Sequence, residues 1–197
     1  MSAIHNIVSK TDQELVIDAL SDKHAFSEIV HRYEVSIRRY VRRLGCTDNS
    51  DMDDVMQEIF IKVFINLNDY DKGLKFSSWL YRIAHNETIT FFRKKNVRPS
   101  VLTLSSEDAE EFFAQLVDGK DFIELAYQQD DVHMMRDLLS HLDQKYRGIF
   151  MLRFLEEKSY TEISDILKIP EGTVATLINR GKRELRVALE AKGIKNI

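Results

Sequence analysis

Apolar residues recur along this chain at helical spacing. From His24 to Leu44 they fall at Phe26, Ile29, Val30, Tyr33, Ile37, Tyr40, Val41 and Leu44. That three-and-four spacing marks one face of a helix, and Gly45 supplies its stop. A second run, Asp51 to Leu67, places Val55, Met56, Ile59, Phe60, Val63, Phe64 and Leu67 the same way. Its first turn is crowded with Asp51, Asp53 and Asp54, where carboxylates complement the positive end of a helix. Asn66 to Gly73 (NLNDYDKG) is turn chemistry. A third helix is expected from about Ser77 to Lys95, carrying Trp79, Leu80, Ile83, Ala84, Phe91 and Phe92. Three such faces predict one small bundle ending near Arg98. From Pro99 to Asp131 the periodicity weakens, although Ala109 to Val117 has an apolar side. It returns from Val132 with Met135, Leu138, Leu139 and Leu142. Asp143 can cap the next helix, Tyr146 to Glu157, in which Ile149, Phe150, Leu152 and Phe154 are apolar.

The segment Ser159 to Leu185 then predicts two short helices around a tight turn. Ser159 and Glu162 have the spacing of a capping box. Ile163, Ile166 and Leu167 form the apolar face of the first helix. Pro170 ends it and suits the opening turn of the second. Val174, Leu177 and Ile178 carry the second apolar face, followed by Arg180, Lys182, Arg183 and Arg186. This is the form of a helix-turn-helix, whose second helix enters the major groove of DNA. Spacing alone leaves open an ordinary pair of packed helices.

Composition narrows the class. Of 197 residues, only 2 are proline and 7 glycine, which favours helices over a strand-rich fold. The lone Cys46 can form no internal disulfide, so a reducing, cytoplasmic setting is expected. The N-terminal stretch lacks a signal pattern, and no apolar run is long enough for a membrane span. The six histidines show no ligand spacing, and His85 is expected at the surface or facing DNA. No glycine-rich phosphate loop, Cys/His ligand set or nucleophile constellation points to an enzyme, and no cofactor or metal is expected. Net charge is −4, which taken alone argues against nucleic acid. The distribution argues otherwise. Arg32, Arg38, Arg39, Arg42 and Arg43 form one basic cluster, Arg93, Lys94, Lys95 and Arg98 a second, and the C-terminal helix a third. The acids gather in Asp48 to Glu58 and in the Pro99–Asp131 stretch, which holds 9 acidic residues against one lysine.

Two motif sets resemble a known family. Asp51 to Lys95 carries D-x-x-Q-E-x-F at Asp54 to Phe60 and F-x-x-W-L-x-x-I-A-x-N at Phe76 to Asn86. It looks like region two of bacterial sigma factors of the extracytoplasmic function (ECF) group. Leu142 to Leu189 looks like region four, through E-I-S-D-I-L at Glu162 to Leu167, P-E-G-T-V from Pro170 and R-G-K-R-E-L from Arg180. Order, spacing and the acidic stretch between them fit the group. The resemblance implies an all-α chain of two small helical domains. Residues 1–98 would form the region-two bundle of three to four helices, 99–131 a flexible acidic linker, and 132–197 the region-four helix-turn-helix domain.

The resemblance also implies a dissociable polymerase subunit that directs promoter recognition and opening. Its expected partners are core RNA polymerase, promoter DNA and an anti-sigma factor, with no membrane insertion. Asp54, Gln57 and Glu58 would dock on the clamp helices of the largest polymerase subunit, accepting hydrogen bonds from basic side chains. Phe76, Trp79, Asn86, Lys94 and Lys95, with the loop Asp69 to Ser77, would hold the non-template strand of the minus-ten element. Stacking a base on an aromatic ring contributes about 1–3 kcal/mol. Packing in a core is the other role open to Phe76 and Trp79. Glu171, Thr173, Thr176 and Asn179 would read the minus-thirty-five duplex, with Arg180 and Lys182 on phosphates. Two positions depart from the family pattern. Ala175 and Leu177 stand where basic residues are common, and Thr90 where aspartate is common. A stand-alone helix-turn-helix regulator is the alternative, but it leaves the Asp54–Gln57–Glu58 face and the aromatic third helix unexplained.

Overall fold

The computed structural model describes residues 10–96 and 144–191. Among them the chain forms α1 (Asp12–Ser21), α2 (Phe26–Arg43), α3 (Asn49–Ile65), α4 (Phe76–Lys95), α5 (Gln144–Phe150), α6 (Tyr160–Leu167) and α7 (Glu171–Ala191). No described residue is in a strand. The described residues divide into two compact units, 10–41 with 48–96, and 42–47 with 144–191. The tether Pro99 to Asp131, the pattern from Val132 and the cap expected at Asp143 all lie outside the described residues.

In the first unit, α2, α3 and α4 follow their apolar stripes. Ile29, Ile37, Tyr40 and Val41 of α2 are buried. So are Met52, Val55, Met56, Ile59 and Val63 of α3, and Phe76, Trp79, Leu80, Tyr81, Ala84 and Phe92 of α4. Helices α3 and α4 run antiparallel. Asp51 at the start of α3 pairs with Lys95 at the end of α4, and Lys62 meets Glu87 at 2.7 Å farther along. Asp48 caps α3, its carboxylate accepting from the Asp51 amide at 3.0 Å. Gly45 adopts φ 111°, a conformation that favours glycine, and its amide donates to the Arg42 carbonyl. Cys46 is buried and forms no disulfide.

The sequence pattern did not predict α1, and it makes the bundle four helices. Its start is a complete capping box. The Thr11 hydroxyl accepts from the Glu14 amide at 3.3 Å, while the Glu14 carboxylate accepts from the Thr11 amide at 2.7 Å. Leu15, Val16 and Ala19 turn inward. Asp12 ties α1 to α2, accepting from Arg32 at 2.8 Å and from the Tyr33 hydroxyl at 2.5 Å. Burial, together with the Asp12 hydrogen bond, pushes the Tyr33 hydroxyl well above its ordinary pKa.

His85 differs from the surface position expected of it. It is half-buried, with Nδ1 2.9 Å from the buried Tyr40 hydroxyl, and burial lowers its pKa to about 4. The unfolded chain takes up this proton near pH 6.5, but the folded chain refuses it until about pH 4. Stability therefore falls as pH falls through that window and levels off below it. The full effect is at most about 3 kcal/mol. Urea titrations from pH 7 to pH 4 are expected to show a shallower acid loss for His85→Gln than for the native chain. Equal slopes would rule out His85 as the source.

In the second unit, α5 passes into one π-helical turn, Met151–Leu155. The Glu156 amide reaches back to the Met151 carbonyl at 3.0 Å. Met151, Leu152, Phe154 and Leu155 are all buried there. The capping box at α6 is present as expected, with Ser159 accepting from the Glu162 amide at 3.2 Å and Glu162 from the Ser159 amide at 2.9 Å. Lys168 ends α6 in the left-handed conformation at φ 55°. The Pro170 carbonyl opens α7 by accepting from the Thr173 and Val174 amides.

Candidate nucleic-acid and protein interfaces

Asp54, Gln57 and Glu58 are all exposed on α3. Their three-and-four spacing places them on one face, while Val55, Met56 and Ile59 turn into the core. Gln57 also borders a groove of about 690 Å³ between α2 and α3. Phe26 and Val30 line one wall, Met56, Phe60, Ile61, Phe64 and Ile65 the other. Ile61, Phe64 and Ile65 remain 43%, 38% and 66% exposed. The rim carries Glu34, Arg38 and Asp53, with Arg38 bonded to Asp53 at 2.8 Å. Phe60 and Phe64 belong to the apolar stripe of α3 but line this groove and stay partly exposed. The available signal was Ile61 and Ile65, which lie off the core stripe and make α3 apolar on a second side. Exposed apolar surface rimmed by charge is what a protein partner covers.

The loop before α4 is held in one shape by local bonds. The Tyr70 hydroxyl donates to the Leu74 carbonyl at 2.5 Å, and the Gly73 amide donates to the Asp71 carboxylate at 2.8 Å. Beneath it, Tyr70 packs on Phe76 and Trp79 with ring centroids 5.3 and 5.6 Å away, and Phe76 also meets Tyr33 at 5.7 Å. Phe76 and Trp79 are only 2% and 4% exposed. Neither ring offers a face on which a base could stack, so core packing is the role this structure gives them. They form the floor of the loop, whose Asp71, Lys72, Gly73 and Lys75 are exposed.

Asn86, Lys94 and Lys95 are exposed along α4. The helix spans about 30 Å at 1.5 Å per residue, so the loop and the basic end mark the ends of a track rather than one pocket. Lys95 is not free at that end. Its ammonium is bonded to Asp51 and lies 5.1 Å from the centre of the Phe91 ring.

On α7, Val174, Ile178 and Leu185 are buried. Glu171, Thr173, Thr176, Asn179, Arg180 and Lys182 are all exposed. Helical geometry sets Thr173, Thr176, Asn179 and Arg180 opposite the buried stripe, with Glu171 and Lys182 at its flanks. Three of the six are engaged within the unit. The Thr176 hydroxyl donates to the Gly172 carbonyl at 2.8 Å and keeps its capacity to accept. The Thr161 hydroxyl bonds to Glu171 at 3.2 Å, and the Lys182 ammonium lies 5.5 Å from the Phe154 ring centre.

Both helical regions are similar to known proteins. The Sigma-70 region 2 family matches residues 29–98, and the Sigma-70, region 4 family matches residues 133–185. The ECF RNA polymerase sigma factor SigW of Bacillus subtilis is 35% identical over 173 residues, covering 85% of this chain and 90% of that protein. The ECF RNA polymerase sigma-E factor of Haemophilus influenzae is 32% identical, covering 87% and 92%. The solved structure of CnrH in complex with the cytosolic domain of CnrY superposes with a TM-score of 0.64 at 25% identity, covering 91% of this chain and 97% of that one. The sigma factor RpoE of Bartonella quintana, solved with the anti-sigma factor NepR, shares the fold at a TM-score of 0.60 and 17% identity, covering 84% and 96%. Both regions, in order and over most of the chain, establish that this protein belongs to the ECF family of RNA polymerase sigma factors, which direct polymerase to promoters.

Proposed function

We propose that the two units divide the work of promoter recognition. Residues 1–98 bind core polymerase and open the minus-ten element, and residues 132–197 bind the minus-thirty-five duplex. The observation that carries this reading is the exposed row Asp54, Gln57 and Glu58 beside an apolar groove. A stand-alone regulator has no use for that surface. Acidic and amide groups suit a basic partner helix, and the groove suits its apolar side chains. On the DNA side, the braced loop Asp71 to Lys75 meets the melted strand, and Asn86, Lys94 and Lys95 follow its backbone. On α7, Thr173, Thr176 and Asn179 face base edges, and Arg180 a phosphate. Support for an anti-sigma partner comes from the Bartonella quintana protein, which was solved with one. We infer a partner of that class for this chain, acting in the cytoplasm as an inhibitor rather than a substrate. No helix among the described residues is long and apolar enough to cross a membrane.

The test is a double substitution, Gln57→Ala with Glu58→Lys. Affinity for core polymerase is expected to fall at least tenfold, about 1.4 kcal/mol, because a cation now opposes the partner's basic surface. Circular dichroism should stay native, since both side chains are exposed. Unchanged core affinity would remove this face from the interface.

A further inference from the structure

Lys95, at the basic end of α4, already holds an anion from its own chain. Its ammonium is bonded to Asp51 in the first turn of α3. The antiparallel packing of α3 and α4 brings the two ends together, so the pairing follows from the fold. Asp51 is held in place by the Asp48 carboxylate on its amide, at 3.0 Å. Its side chain is 26% exposed and that of Lys95 is 46%, so the lysine remains open to solvent on one side. Asp48 and Asp54 add to the negative field at Lys95, and the Asp51 hydrogen bond foremost raises its pKa. Arg93 and Lys94 are exposed beside it.

We propose that Asp51 competes with the DNA backbone for Lys95, and so sets the strength and salt dependence of single-strand binding by this unit. The inference rests on the reading of Lys95 as a phosphate contact. A phosphodiester and a carboxylate offer the same kind of charged acceptor to an ammonium. A strand that takes Lys95 either displaces Asp51 or shares the ammonium with it, and in both cases the Asp51 carboxylate stands near the phosphate as a like charge. It also attracts back a counterion, which offsets part of the cation release that drives binding.

The experiment uses holoenzyme assembled from the full chain and core polymerase, with fluorescent oligothymidylate as probe, because a backbone contact is independent of sequence. Asp51→Asn is expected to tighten binding roughly two- to fivefold at low salt, the size of one exposed ion pair. It is also expected to steepen the logarithmic salt dependence by up to about 0.7. Lys95→Met should weaken binding, and in its presence Asp51→Asn should have no further effect. A purely structural role for Asp51 at the start of α3 would lower thermal stability and leave the salt slope unmoved, which overturns the proposal. If Lys95→Met weakens binding but Asp51→Asn does not strengthen it, the competition is refuted and Lys95 remains a phosphate contact. If Lys95→Met has no effect, the phosphate reading itself falls, and the proposal with it.

Discussion

Replacing Gly181 with alanine is expected to destabilise the second unit by about 1–3 kcal/mol, and replacing it with valine by more. A Cβ added at Gly181 meets the Phe150 ring at 2.5 and 2.7 Å. Phe150 is fully buried, and the residues after it enter the π-helical turn, where Met151 and Leu152 are also fully buried. To admit the added carbon the ring must shift. On helix propensity alone, alanine would be favoured over glycine by about 1 kcal/mol, so the expected loss runs against the intrinsic preference. Gly172, nine residues earlier on the same helix, is the internal control. Nothing lies within 4 Å of its added Cβ, so Gly172→Ala should stabilise by up to about 1 kcal/mol. Urea denaturation of the two variants and the native chain, followed by circular dichroism, checks both signs. A Gly181→Ala chain as stable as Gly172→Ala would show that α7 does not approach Phe150 this closely.

That contact also shows what a single sequence reveals and what it withholds. The helix-turn-helix was legible because its signals are local. The Ser159–Glu162 spacing, Pro170 and the stripe through Val174 and Ile178 each act over one turn. Helix α1 carries the same signal in Thr11 and Glu14, but its buried stripe, Leu15, Val16 and Ala19, covers little more than one turn and is a weak periodic signal. The end of α6 was less visible. Lys168 takes a left-handed conformation where glycine or asparagine is the usual marker. The π-helical turn had no local marker. Its four apolar side chains, Met151, Leu152, Phe154 and Leu155, are spaced as on one face of an ordinary helix and are all buried.

The site divides along the same line. Asp54, Gln57 and Glu58 could be placed on one face by counting residues, and the structure leaves all three exposed. The occupation of Lys95 by Asp51 joins residues 44 positions apart and could not be counted. The groove beside Gln57 needs α2 as its second wall, so the excess of isoleucine on α3 hinted at a surface without showing its shape. The family resemblance implies that Phe76 and Trp79 hold the non-template strand, with core packing as the other role open to them. Burial separates those two roles.

Trp79→Ala is accordingly expected to fail as a fold variant before it fails as a DNA-binding variant. The indole is 4% exposed and packs against both Tyr70 and Phe76, with centroids 5.6 Å from each. Truncating it leaves a large cavity and should cost about 3–5 kcal/mol. The loss reaches the loop, because Tyr70 fixes the Leu74 carbonyl through its hydroxyl and would lose one of its two supporting rings. Trp79→Phe keeps an aromatic face in the cluster and should retain most of the stability together with promoter opening. The chain's only tryptophan gives a direct readout of position. Its emission in the free protein should be blue-shifted and resist acrylamide quenching, as a buried indole does. Quenching at the rate of an exposed indole, or a Trp79→Ala chain that unfolds at the native urea midpoint yet no longer opens promoters, would return Trp79 to the strand-binding surface. Loss of stability in Trp79→Ala with opening preserved in Trp79→Phe would instead assign DNA contact to Asp71, Lys72, Gly73 and Lys75, the exposed loop residues that the aromatic cluster supports.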